Sequence, residues 1–212
     1  MLRLLPREAL VRTGPVDHAD WNYRPLLGYV SRARFRLALS LLPERADAIL
    51  EVGYGSGVFI PSLARRAARV AGFDVHAGNE SVAAALRGHG VEADLRSGDG
   101  RALPFGDAEF DVVVAISALE FVEDLGGLCA EVARVLKPGG TFVVVTPGDA
   151  PPLDWALRLA TGMDPRTEFG DRRSRVIPAL RRAFRVEREA AFPPVLGTLV
   201  PVYRSFACHK LT

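Results

Sequence analysis

Cysteine is scarce in this chain. Cys129 and Cys208 are the only two, too few for a disulfide framework, and they read as reduced thiols. Metal-ligand spacing is missing as well. His18, His76, His89 and His209 are scattered, with no HxxxH or CxxC among them, so no metal site is expected. Lysine is nearly absent: Lys137 and Lys210 are the only two, and almost all of the 27 basic residues are arginine. Charge of one sign is not in excess either. A net +2 is too small to imply a nucleic-acid or anionic-membrane partner. The most apolar run, 112–119, is far short of the roughly 20 residues that cross a bilayer. The first dozen residues lack the apolar core and small-residue cleavage site of a signal peptide. There is no internal repeat and no low-complexity block. These absences predict a cytoplasmic protein without membrane insertion, disulfides or metal.

What remains is an ordinary globular composition, 49% hydrophobic and 25% charged over 212 residues, enough for one domain with a sizeable core. From residue 48 onward, short apolar runs alternate with longer amphipathic stretches. Strands are expected at 48–53, 69–75, near 91–97, at 110–118 and at 141–147. Helices are expected at 58–68, 80–89 and 125–137, the last stopped by Pro138-Gly139-Gly140. Such alternation implies right-handed βαβ units and a parallel sheet covered on both faces. Residues 25–42 read as an earlier helix with Pro25 at its first position and Leu26, Val30, Ala33, Leu37 and Leu41 toward the sheet. Arg32, Arg34 and Arg36 are read as a solvated face. Residues 174–184 read as a helix, and 184–192 and 201–210 as strands. The segment joining those strands is too short for a crossover helix, so they should be antiparallel. The expected organisation is a single domain: a helical cap over 1–47, a core over 48–147, an insertion or lid over 148–173, and a helix with a strand pair over 174–212.

The most informative segment is Glu51-Val52-Gly53-Tyr54-Gly55-Ser56-Gly57, between a predicted strand and a predicted helix. Glycines there permit positive φ and let a ligand approach the backbone. Pro61 would clash with the Gly57 carbonyl in a helix already running at 57, so the helix should begin at about Val58 with Gly57 left in the turn. The GxGxG spacing is not the GxGxxG dinucleotide fingerprint, because Val58 occupies the third glycine's place. Asp74 lies 21 residues after Gly53, at the end of the second strand, where a carboxylate can accept from a ribose diol. Asp99 follows the third strand and could meet an adenine edge.

With these features in register, the sequence resembles the class I S-adenosylmethionine-dependent methyltransferases. EVGYGSG is similar to that family's first motif, FDV (73–75) to its ribose-binding segment, SGDGRALPFGDAEFD (97–111) to its adenine-binding stretch, and LKPGGTFVVVTP (136–147) to its turn into strand five. The resemblance implies a Rossmann-like, doubly wound α/β fold with a seven-stranded sheet, mostly parallel with an antiparallel last strand. It implies S-adenosylmethionine as cofactor. It carries cofactor contacts onto Glu51, Gly53, Gly55, Gly57, Asp74, Val75, Asp99, Gly100, Ile116 and Ser117, with Ala115 also near the sulfonium. Val75 would pack on the adenine face. One departure stands out. Many small-molecule members carry a histidine in a stretch that here reads Leu119-Glu120-Phe121-Val122, so Phe121 takes that place. Glu120, Glu123 and Asp124 are then expected to begin and cap the next helix rather than hold a metal.

The expected reaction is methyl transfer to an O, N or C nucleophile of a small organic acceptor by in-line displacement. A nucleic-acid or protein methyltransferase and a non-catalytic cofactor-binding protein are the alternatives. The first is disfavoured by Ala115-Ile116-Ser117-Ala118 where an Asn/Asp-Pro-Pro-Tyr-like motif would stand, with Pro151-Pro152 misplaced for that role; the second by the intact glycines and Asp74. The sequence assigns no catalytic base; His18, Tyr23, Tyr29 and Tyr54 are candidates by position. Trp21, Tyr23, Trp155, Met163 and Phe169 are candidates to line an acceptor pocket. Acceptor and oligomeric state are not specified.

Overall fold

The computed structural model describes residues 1–14, 17–99, 101–148, 171–194 and 200–211. Most of the expected insertion, with Pro151, Pro152, Trp155, Met163 and Phe169, lies outside the described residues, as do Gly100 and part of the segment joining the last two strands. The strands are β1 (Ala46–Val52), β2 (Ala67–Asp74), β3 (Asp94–Ser97), β4 (Phe110–Ile116), β5 (Leu136–Pro147), β6 (Phe184–Phe192) and β7 (Tyr203–Lys210). The helices are α1 (Pro25–Leu41), α2 (Ile60–Leu63), α3 (Asn79–Gly88), α4 (Leu125–Val135) and α5 (Arg172–Ala183). The strands build one seven-stranded sheet in the order β3-β2-β1-β4-β5-β7-β6. β1 to β5 pair in parallel, and β7 runs antiparallel to both β5 and β6. The fold expected from the resemblance is therefore the fold observed.

Each central strand is buried on both faces, which explains its unbroken apolar run. Leu50, Val113, Ala115, Phe142 and Val144 pack toward α4 and α5, against Leu128, Val132, Val176 and Leu180. Their neighbours Ile49, Val112, Val114, Val143 and Val145 pack on the opposite face with Phe35 and Ala38 of α1 and Val82 and Leu86 of α3. Cys129 and Cys208 are buried free thiols.

Three elements depart from expectation. α1 has the expected length but a different rotation. Its buried residues are Gly28, Ser31, Ala33, Phe35, Ala38 and Leu41, while Leu26 is 87% exposed. Contacts outside the helix fix that rotation. A Cβ on Gly28 would lie 2.6 Å from the Asn22 carbonyl oxygen, so only glycine lets the buried 3-10 turn at Ala19–Tyr23 approach. Ser31 Oγ donates to Asn22 Oδ1 at 2.8 Å, and Phe35 stacks on Phe59 at 4.8 Å, a pairing worth about 0.5–1.5 kcal/mol beyond its buried area. Second, α2 is a single turn. Gly57 stays in the turn, as Pro61 requires, but the helix ends at Leu63 because Arg66 already accepts from Ala46 as β2 opens. Third, β5 begins before the Pro-Gly-Gly stop. Leu136 pairs with Phe110, and the ladder resumes at Thr141 with Val112 after a register shift. The glycines form a bulge in a strand and do not merely end a helix. Gly139, at φ 75°, supplies the left-handed conformation there.

Candidate active site

The C-terminal ends of β1, β2 and β4 converge on one cavity of about 910 Å3. Open parallel sheets bind ligands at this edge. Glu51, Gly53, Gly55, Asp74, Val75, Asp99, Ile116 and Ser117 all line it. Eight of the ten residues singled out from the sequence are thus brought together. Gly57 is not among the lining residues: its Cβ position faces Val82 of α3 at 2.8 Å. Gly100 falls outside the described residues.

The turn after β1 owes its shape to three glycines of positive φ, Gly53, Gly55 and Gly57, the last at 70°. Gly53 has φ 77°, and a Cβ there would strike the Ala118 Cβ at 2.3 Å. Gly55 has φ 51°, with nothing within 4 Å of its Cβ position. Gly53 is needed for packing, while Gly55 leaves open space. Asp74 reaches across from β2. Its Oδ2 accepts from Gly55 N at 2.8 Å, and its Oδ1 accepts from Val75 N at 2.7 Å and His76 N at 3.4 Å. A carboxylate has roughly four acceptor positions, so about one is left for a ligand. Val75 is 72% exposed, an apolar side chain standing bare beside Asp74. Asp99 accepts from Arg101 N at 3.0 Å, lies 4.0 Å from the Arg101 guanidinium and is exposed. Ser117, directly after β4, has φ 51°. For a non-glycine residue this costs on the order of 1–3 kcal/mol. Its N–H donates to Val145 O at 2.7 Å, which anchors the strained residue at the cavity wall.

The electrostatics of the cavity oppose those of the chain. Asp17, Asp74, Asp99, Glu123 and Asp124 line it, against Arg34 and Arg101. Glu51 is 3% exposed. Burial, then the nearby charge of Asp74, raise its pKa to about 8, while Arg34 pulls it the other way. Glu51 therefore holds its proton at neutral pH.

Several residues escaped the sequence reading. Arg34 does not belong to a solvated face; it lines the cavity. Glu120 does not cap the next helix. It is 1% exposed, and neither carboxylate oxygen finds a hydrogen-bond partner among the described residues. Burial raises its pKa to about 7, against the opposing pull of its own backbone amide, Arg34 and Arg173. Asp124 does cap α4, accepting from Gly127 N at 2.8 Å. Among the described residues, no group of three or more histidines, cysteines or carboxylates is placed to hold a metal. Of the aromatic base candidates, Tyr23 donates to the Leu5 carbonyl and Tyr29 is exposed on α1; neither lines the cavity, nor does Trp21. Tyr54 does, but burial pushes its pKa up to about 12. His18 also lines it, stacked on Trp21 at 4.3 Å. The N-terminal cover comes from Thr13, Gly14, Asp17, His18 and Ala19, held together by Asp17, which accepts from Thr13 Oγ1 at 3.0 Å and Ala19 N at 3.1 Å.

Residues 50–144 match the family described as the methyltransferase domain. That stretch is similar to methyltransferase domains, and individual relatives match over a comparable length. The chain is 38% identical over 99 residues to a probable S-adenosylmethionine-dependent methyltransferase of Mycolicibacterium smegmatis, a match covering 47% of this chain and 37% of that protein. It is 40% identical over 119 residues to a ubiquinone biosynthesis O-methyltransferase of Hahella chejuensis, covering 52% and 49% respectively. The chain thus spans about half or less of the length of these curated relatives. Among solved structures, the geranyl diphosphate C-methyltransferase of Streptomyces coelicolor A3(2) has a similar fold, with a TM-score of 0.66 at 17% identity over 99% of this chain and 90% of that one.

The Mycolicibacterium smegmatis relative is named for its dependence on S-adenosylmethionine. The cavity fits that molecule on its own geometry. The open Cβ position of Gly55, the free acceptor capacity of Asp74, the bare apolar Val75 and the acidic lining suit a cationic adenosyl ligand. Among the described residues, no helix is long and apolar enough to cross a membrane.

Proposed function

We propose that this chain transfers a methyl group from S-adenosylmethionine to an O, N or C nucleophile of a small organic acceptor. The observation that carries this reading is the convergence of the Gly53–Gly55 turn and the Asp74 carboxylate on one acid-lined cavity. When bound, the cofactor supplies a methyl already activated on a positive sulfur. The chain's residues bind and align. Asp74 holds a ribose hydroxyl with its remaining acceptor position, and Val75 covers the adenine face. Asp99, with Gly100, meets the adenine edge. Gly53, Gly55 and Glu51 border the methionine part, and Ile116 and Ser117 close the wall beside the sulfonium. Alignment of two reactants can contribute roughly 7–11 kcal/mol. The acidic lining favours a cation and repels a polyphosphate strand, which supports a small acceptor over nucleic acid.

Two measurements test the reading. Calorimetry should show S-adenosylhomocysteine binding in the micromolar range, about −8 kcal/mol. Asp74→Asn should weaken it about ten- to a hundredfold, the worth of one charge-assisted hydrogen bond, with the circular dichroism spectrum unchanged. Equal affinity in the variant would remove the ribose role. A labelled-methyl transfer assay across a metabolite extract should place label in a small molecule. Label confined to RNA or protein would overturn the acceptor class.

A further inference from the structure

His76 has no part in the roles assigned so far, yet it lies on the wall of the same cavity, its side chain 11% exposed. Both ring nitrogens are engaged. Nδ1 accepts from Gly78 N at 3.0 Å, so it carries no proton. The proton is then on Nε2, which lies 3.0 Å from Gly55 O and donates to it. Asp74 Oδ2 takes the Gly55 N–H at 2.8 Å. The N–H and the C=O of Gly55 are thus held by two residues at the end of β2, one on each. The imidazole is itself braced: its backbone carbonyl accepts from Ser97 Oγ at 2.7 Å, and the Tyr54 ring meets it edge-on at 5.0 Å. Gly55 has no packing contact at its Cβ position and φ of 51°, so these two bonds, not packing, define how its peptides face the cavity.

We propose that His76 is a positioning residue for the cofactor turn. Its Nε2–H fixes the Gly55 carbonyl, which keeps the Gly55 N–H on Asp74 and the open face of the glycine toward the ligand. This rests on the cofactor reading above. The two ring nitrogens do separable work, because the Nδ1 bond caps the approach to α3 and the Nε2 bond ties the turn. Asparagine places an acceptor near the Nδ1 position and cannot reach Gly55. Glutamine reaches the Nε2 position and can donate there, but loses the cap.

The experiment compares wild type, His76→Asn and His76→Gln by calorimetry with S-adenosylhomocysteine and by thermal unfolding. His76→Asn should keep the wild-type melting temperature within a few degrees and weaken binding about three- to tenfold, the loss of one neutral hydrogen bond. His76→Gln should restore affinity to within about twofold of wild type while melting lower. Wild-type affinity in His76→Asn, or equal loss in both variants, overturns the positioning role. Absence of binding to the wild-type protein would instead overturn the cofactor reading, and this inference with it.

Discussion

Replacing Glu120 by glutamine tests the buried carboxyl beside the cavity. Glu120 is 1% exposed, without a hydrogen-bond partner on either oxygen among the described residues, and its pKa is raised from 4.5 to about 7. The cause is desolvation, opposed first by the residue's own backbone amide and then by Arg34 and Arg173. The sign follows from linkage. A carboxyl with a folded pKa above its unfolded value binds more protons when folded, so stability falls as pH rises from about 4.5 through about 7. The loss attributable to Glu120 is about 1 kcal/mol at pH 5 and reaches about 3 kcal/mol at pH 8, above both values. Glutamine is nearly isosteric with the neutral acid and does not titrate. It carries a constant offset from its own buried amide. Urea unfolding at pH 5, 6, 7 and 8 should show divergence: the variant gains about 2–3 kcal/mol on wild type from pH 5 to pH 8. Parallel profiles would refute the burial argument, because a solvated Glu120 has no such linkage.

Two other substitutions probe the glycine turn and the second buried acid. Gly53→Ala should destabilise the fold by about 2 kcal/mol or more, because the new Cβ meets Ala118 at 2.3 Å and φ is 77°; a thermal scan matching wild type would refute the close-approach argument. Glu51 keeps its proton at neutral pH because burial and Asp74 raise its pKa to about 8. A cationic ligand nearby favours the carboxylate, so S-adenosylmethionine binding at pH 7 should release up to about one proton. Calorimetry in buffers of different ionisation enthalpy reads that release, and Glu51→Gln should abolish it. A wild-type binding enthalpy independent of buffer would refute the coupling.

Local pattern determined a great deal here. The alternation of apolar runs with amphipathic stretches marks each strand from β1 to β5, because a strand buried on both faces has no polar side to show. The short joint before residues 201–210 is enough for an antiparallel β7, and Pro61 alone keeps Gly57 out of a helix. The order Gly53, Gly55, Asp74, Asp99 points to an adenosyl ligand because successive parallel strands end on the same edge. What tertiary structure decided has a common cause: burial and rotation depend on partners distant in sequence. Asn22 and Phe59 set the roll of α1, which exposes Leu26 and carries Arg34 to the cavity. Glu120 sits in a run of residues that reads as a helix start, and only packing by elements far along the chain dehydrates it. Gly57 has the spacing of a ligand contact and faces Val82. His76 looks like a stray imidazole until β1 and β2 are laid side by side and its ring meets the Gly55 carbonyl. Hydrophobic period is a property of neighbours along the chain, whereas a pKa, a roll angle and a hydrogen-bond partner are properties of neighbours in space.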